Sequence, residues 1–204
     1  SGIHLLIEKP VSSNSEGVNK LITLSKKRKS KILVGYNLKF LDSLNTFKKE
    51  IKKGSIGEVL SIRAEVGQHL GSWRTDKNYL NSVSARKELG GGVLLELSHE
   101  FDYLKWLFGK INWVFGYSTK ISSLEVDVED LTHCLLSFKE INNKSNVVAS
   151  INLDFFRRDP VRNCIVIGEE GSLRWDAINN SVEIYRSSED IWSTVYKEKI
   201  NRDH

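Results

Sequence analysis

Downstream of Gly109 the chain is a succession of short β-forming runs, and these constrain its fold more than any other feature. They span Ile111 to Ser118, Asp130 to Phe138, Asn146 to Leu153, Arg162 to Ile167, Ser172 to Trp175, Ser181 to Tyr185 and Ile191 to Tyr196. Turn-forming residues separate several of them: Asn142-Asn143, Glu169-Glu170-Gly171, Asn179-Asn180 and Ser187-Ser188. Connections this short join antiparallel neighbours, because parallel partners need a long crossover. The expected architecture is a large open, mostly antiparallel sheet with one face covered by helices. One cover is Asp42 to Lys53, which puts Leu44, Phe47 and Ile51 on one helical face, with Asp42 as candidate N-cap and Gly54 and Gly57 as terminators. Val59 to Val66 alternates as a further half-buried strand.

The first residues follow another pattern. Ile3 to Ile7 and Lys31 to Tyr36 are short apolar runs without alternation, as in parallel strands buried on both faces. Between them Pro10 stops the first strand, the serines at 12, 13 and 15 offer caps, and Val18, Leu21, Ile22 and Leu24 recur at near-helical spacing. This is a βαβ crossover, and alone it cannot cover both faces of a sheet. The expectation is a remnant of a doubly wound nucleotide-binding domain in residues 1–36, followed by an α/β domain in residues 37–204: α/β plus α+β. The chain opens on Ser1-Gly2, has no methionine and enters a strand at once, so a segment upstream is expected.

Composition narrows the partners. With 204 residues, 40% hydrophobic and 27% charged, the chain suits an ordinary globular protein rather than a disordered one. A net charge of +4, with acids spread among the bases, calls for neither nucleic acid nor membrane. The basic run KKRKSK from Lys26 reads as a solvated helix end that complements the dipole. No apolar run spans a bilayer and no signal peptide opens the chain, so a cytoplasmic protein is expected. Cys134 and Cys164 are too few for a disulfide framework and fit no metal spacing, which predicts free thiols.

The chemistry concentrates between Gly90 and Gly109, in GGGVLLELSHEFDYLKWLFG. Read as one helix, Leu94, Leu97, Phe101, Leu104 and Phe108 form the core face. Leu95, His99, Asp102 and Trp106 form a second strip, and Glu96, Glu100, Tyr103 and Leu107 a third. A helix apolar over most of its surface is expected to be buried, so its ionisable groups need partners. Glu96 and His99, and again His99 and Asp102, are i, i+3 neighbours, and a carboxylate beside an imidazole suits proton transfer or a structural pair. Zinc would need His69 as a remote third ligand, and no metal is expected. Lys9, in Glu8-Lys9-Pro10 at the carboxyl end of a parallel strand, sits where open α/β sheets bind ligands, or is a charged strand end. The stretch from Gly67 to Leu89 has no clear period and holds His69, Trp73, Arg74, Tyr79 and Arg86, so it is a functional loop or a surface excursion.

EKP after a strand, GYNLKF after the crossover, IKKGSIGEV, GGGVLLELSHEFDYLKWLFG and IGEEGSLRWD together resemble the Gfo/Idh/MocA oxidoreductases, NAD(P)-dependent sugar and inositol dehydrogenases. The resemblance runs over nearly the whole chain in the right order, and SARKELGGGVLLELSHEFDYLKWLFG is similar to the branch found with bacterial surface-sugar pathways. It implies NAD or NADP as cofactor, bound in part at Glu8, Lys9 and Pro10, a sugar or nucleotide-sugar substrate, and a homo-oligomer formed through the C-terminal sheet. It further implies that Lys9 works with an aspartate and a histidine four residues later in proton transfer from the substrate hydroxyl.

This sequence departs from that pattern in two ways. Glu96 stands at the aspartate position and Glu100 four residues on, while His99 comes one place early. A local helix distortion brings His99 in, or Glu100 supplies a carboxylate, or the relay differs. The G-x-G-x-x-G fingerprint is also absent, so little cofactor affinity is expected of this chain by itself. The catalytic candidates are Lys9, Glu96, His99 and Glu100. Arg74 and Tyr79 are candidate substrate contacts, and the basic residues Arg74, Lys77, Arg86 and Lys87 suit a nucleotide-linked or acidic sugar. The alternative is a non-catalytic, sheet-mediated dimerisation module.

Overall fold

The computed structural model describes residues 2–73, 78–139 and 147–199. Two sheets are present: a two-stranded parallel pair and an eight-stranded sheet. The pair joins β1 (Leu5–Ile7) to β2 (Ile32–Val34) through α1 (Val18–Arg28). The crossover is as expected, but α1 starts after Gly17 rather than on a serine cap, and it ends on Lys26, Lys27 and Arg28. The strands are not buried within this chain: Leu6 is 73% and Leu33 57% exposed.

α2 (Asp42–Lys53) and β3 (Val59–Gly67) lead to irregular chain, then to α3 (Val93–Glu96) and α4 (His99–Phe108). Asp42 is the first helical residue of α2, and Leu41 holds the cap position without a side-chain bond. The strands that follow are β4 (Ile111–Thr119), β5 (Leu131–Phe138), β6 (Val148–Asp154), β7 (Val161–Gly168), β8 (Gly171–Asp176), β9 (Ser181–Arg186) and β10 (Ile191–Lys197). These are the expected runs, each shifted at its ends by no more than a residue or two. The Asn142-Asn143 turn lies outside the described residues.

The order across the large sheet is β10-β9-β8-β7-β3-β6-β5-β4. β3 enters from upstream between β7 and β6, antiparallel to the first and parallel to the second. Because side chains alternate, registered residues share a face. Leu136, Ala149, Ile62, Val166, Leu173 and Ile184 form one inward row, and Cys134, Ile151, Ala64, Cys164, Trp175 and Val182 the next. All are buried, and the helices lie over them. Leu44, Phe47 and Ile51 of α2 are buried where it packs on β8 and β9, and Trp175 donates from Nε1 to Ser43 Oγ at 3.0 Å. Tyr103 of α4 meets Trp175 edge-on at 5.3 Å, and Phe108 meets Phe138 at 5.6 Å. Each fully buried side chain of this size contributes about 1.5–3 kcal/mol. The other face is open along β4, where Phe115 is 66% and Tyr117 60% exposed.

Candidate active site at a helix break

The stretch after Gly90-Gly91-Gly92 is two helices, not one. α3 stops at Glu96; Leu97 (φ −96°, ψ 31°) and Ser98 form a turn, and α4 begins at His99. The interruption resets the helical phase, so the inward residues of α4 are Glu100, Tyr103, Leu104 and Phe108, with Leu94 exposed and Phe101 half-buried. Of the core face expected for a continuous helix, Leu97, Leu104 and Phe108 are buried, whereas Leu94 and Phe101 are not, and Glu100 and Tyr103 take inward positions instead.

The break leaves the Glu96 carbonyl at a helix C-terminus, where carbonyls lack intrahelical donors. Lys9 takes that place: its Nζ donates to Glu96 O at 2.7 Å and to Glu96 Oε1 at 2.8 Å. The lysine follows the carboxyl end of β1, and its peptide bond to Pro10 is cis. Ser84 Oγ holds the second carboxylate oxygen at 2.9 Å, so Glu96 is fixed from both sides. Ser84 keeps its position because Gly92 N donates to its carbonyl at 3.1 Å and Gly91 N to Arg86 O at 2.9 Å. A side chain on Gly91 would collide with the carbonyls of Val83, Ser84 and Arg86, which explains a glycine there.

His99 lies beside this pair. Tyr36 stands edge-on to its ring at 5.5 Å and donates to Ser98 Oγ at 3.4 Å. The imidazole Nδ1 is buried without a hydrogen-bond partner among the described residues. Burial, then the charges of Arg162 and Lys9, lower the His99 pKa from 6.5 to about 4, with Glu96 pulling the other way. The ring is thus neutral at neutral pH and able to accept a proton.

Because the folded pKa lies below the unfolded one, stability contributed by neutral His99 is complete above pH 6.5 and lost as pH falls through about 4. His99→Asn should remove on the order of 1–2 kcal/mol of that acid loss, allowing for partial solvent screening. Urea unfolding of both proteins at several pH values in that window checks it; parallel stability curves would show that the ring is not depressed.

Glu100 points inward and is fully buried. Arg162 Nε lies 3.0 Å from its Oε1, near enough for charge attraction although the N–H is not aimed for a hydrogen bond. Burial raises the Glu100 pKa and Arg162 opposes the rise. Burial likewise pushes up the neighbouring Tyr103 and Cys164. Glu100 is the core partner of an arginine.

The structure therefore brings Lys9, Glu96 and His99 together and sets Glu100 behind them. Glu8 is exposed at the end of β1. Tyr79 packs on the core, its hydroxyl accepting from Glu125 N at 3.4 Å, and Arg86 Nε donates to Leu80 O at 2.6 Å; both brace the loop. Arg74 and Lys77 lie outside the described residues. Asp102 pairs with Lys39 at 3.2 Å, away from His99. Among the described residues no three His, Cys, Asp or Glu side chains converge as for a metal, and both cysteines are free.

Two participants had escaped the sequence. Ser84 sits in an aperiodic loop and left no signal. Arg162 did leave one: it shares strand parity with buried Cys164 and Val166, so it is an arginine on the inward face. A cavity of about 80 Å³ beside Arg162 and Leu97 is bounded by Gly67, Gln68, Trp73 and Ile178. A larger cleft of about 780 Å³ opens across Gly90 and Gly91, between Ser13, Leu94, Lys120 and Glu129, and is not lined by Lys9 or His99.

Comparison with known proteins finds relatives of the chain in sequence and in fold. Residues 44–174 match the GFO/IDH/MocA C-terminal domain. An uncharacterised oxidoreductase of Synechocystis sp. is 33% identical over 110 residues, 53% of this chain and 29% of that protein. Levoglucosan dehydrogenase of Pseudarthrobacter phenanthrenivorans is 28% identical over 116 residues, 56% of this chain and 29% of the enzyme. An inositol dehydrogenase homologue from Azotobacter vinelandii, solved with NADH and myo-inositol, shares the fold at a TM-score of 0.77 and 12% identity, over 98% of this chain and 51% of that one. The chain thus matches less than a third of the length of these curated relatives.

Proposed function

The chain belongs to the GFO/IDH/MocA family through its C-terminal domain, and from that premise we propose that it forms the substrate side of an NAD- or NADP-dependent oxidoreductase acting on a sugar or nucleotide-sugar hydroxyl or ketone. The observation that carries this is the Lys9 ammonium held by both the carbonyl and the carboxylate of Glu96, beside a neutral His99. Residues 1–36 read as the last crossover of a nucleotide-binding domain, supported by the parallel pairing of β1 and β2 and by their exposed leucines. Residues 37–204 are the substrate and oligomerisation domain.

The nicotinamide, when bound, exchanges the hydride. Glu8, Lys9 and Pro10 would help to hold it, a reading supported by their position at the carboxyl end of a parallel strand. In the reductive direction Lys9 gives a proton from Nζ to the oxygen that becomes the hydroxyl. The neutral amine then regains a proton from water, passed along by Glu96 and His99, each of which ends in its starting state, and oxidation runs the same path backward. Ser84 orients Glu96, and Glu100 anchors Arg162. The exposed aromatic side chains of β4 favour self-association through the open face of the sheet.

The test is the full-length protein given NAD or NADP and a panel of neutral and acidic sugars, followed by cofactor absorbance, with sedimentation of the same preparation. Sugar-dependent cofactor reduction by an oligomer is expected. A full-length protein that neither binds nor reduces either cofactor would remove the reading in favour of a non-catalytic dimerisation module.

A further inference from the structure

The small cavity beside the helix break has one charged wall. Arg162 supplies it, and burial of Glu100 behind the guanidinium fixes the edge it presents. Nε faces Glu100, and no hydrogen bond from the terminal amino groups is found among the described residues. Nε is buried while the side chain keeps 21% exposure, so the terminal amino groups form the accessible edge of the guanidinium, with donors to offer an acceptor. The planar fork of a guanidinium matches a carboxylate through two parallel hydrogen bonds. Among the described residues the rest of the wall is apolar or uncharged, formed by Val66, Leu97, Trp73 and Gln68, and the volume of about 80 Å³ suits a carboxylate with one or two attached carbons.

We propose that Arg162 is a specificity-determining residue that binds a carboxylate of the substrate in this cavity, making the substrate an acidic sugar rather than a neutral one. The proposal rests on the oxidoreductase reading above but concerns binding alone. Arg162 is the foremost charge acting on His99, so a carboxylate that pairs with the guanidinium alters the field at that ring. Occupancy is therefore visible at His99 as well as at Trp73.

Acetate and acetamide, alike in shape and different in charge, are suitable probes. Each is titrated at neutral pH into the full-length protein, with sodium chloride of equal ionic strength as blank. Trp73 fluorescence is assigned through Trp73→Phe, and the His99 imidazole signal is followed by NMR. Acetate is expected to saturate both signals, and acetamide and chloride neither. Arg162→Met should weaken acetate on the order of 10- to 100-fold, as befits hydrogen bonds to a charged group. Arg162→Lys, which keeps the charge opposite Glu100, should weaken it less and guards against misfolding. Equal responses to acetate and acetamide, a chloride response of the same size, or an unaltered acetate response in a folded Arg162 variant would overturn the proposal. A protein that turns over neutral sugars without responding to acetate loses this subsite alone. One that binds acetate through Arg162 yet never reduces cofactor loses the oxidoreductase reading alone.

Discussion

Lys9→Met is expected to lower turnover of the full-length protein by about 10²–10⁴-fold, the range for removing a positioned proton donor. Cofactor should still bind, because methionine keeps an unbranched side chain of similar length and Glu8 and Pro10 are unchanged. The size of the effect follows from the site. Lys9 is the cation held by both the carbonyl and the carboxylate of Glu96, and in the variant these face a methionine that has no proton to give. A structural role alone would instead appear as lost stability with turnover per folded molecule intact. Thermal unfolding of the same variant separates the two, and turnover at the wild-type level would remove Lys9 from the mechanism.

Gly91→Ala should be the most damaging small substitution. Its Cβ would stand 2.8 Å from the carbonyl oxygens of Ser84 and Arg86 and inside contact distance of Val83 O. These are backbone atoms and cannot swing aside as a side chain could. Accommodation must displace the 83–86 turn, and with it the Ser84 hydroxyl on Glu96. Overpacking of this kind costs about 1–3 kcal/mol, a Tm lower by roughly 2–12 °C. Turnover should fall as well, since Glu96 loses one of its holds. Gly116→Ala is the control, because its Cβ would meet nothing nearer than Cys134 Sγ at 3.8 Å. Equal melting of the two variants would show that the glycine entry to α3 is not as tight as described.

Much of the architecture was legible because it is written locally. Strand ends follow from alternation and turn residues, which is why β4 through β10 fall within a residue or two of their expected limits. α2 was equally readable from Leu44, Phe47 and Ile51. The position of β3 between β6 and β7 was not, since strand order is set by packing across the sheet, and β3 carries no mark of its neighbours.

The site shows the same division. Glu96 and His99 stood out as ionisable groups on an apolar stretch, and Lys9 as a charge at a strand end. Their meeting depends on a break at Leu97-Ser98 that local propensity argues against, since LLELSHEF is helix-forming throughout. Tertiary bonds sustain it: Lys9 on the freed carbonyl and Tyr36 on Ser98. The break also sorts the two acids. Glu96 stays with the lysine, and Glu100 turns to Arg162 in the core. Ser84 acts only through the fold of its loop, so no pattern around it could have marked it.

The central proposal is that the full-length protein exchanges hydride between a sugar carbon and a nicotinamide beside Lys9. Deuterium tracing tests it most directly. The full-length protein is given NAD and a sugar deuterated at its carbon positions, with levoglucosan, myo-inositol and an acidic sugar tried in turn. NMR then follows deuterium arriving on the nicotinamide ring, in wild type and in Lys9→Met at equal cofactor occupancy. Transfer by wild type and almost none by the variant is the predicted result; deuterium arriving at the same rate in both would contradict it.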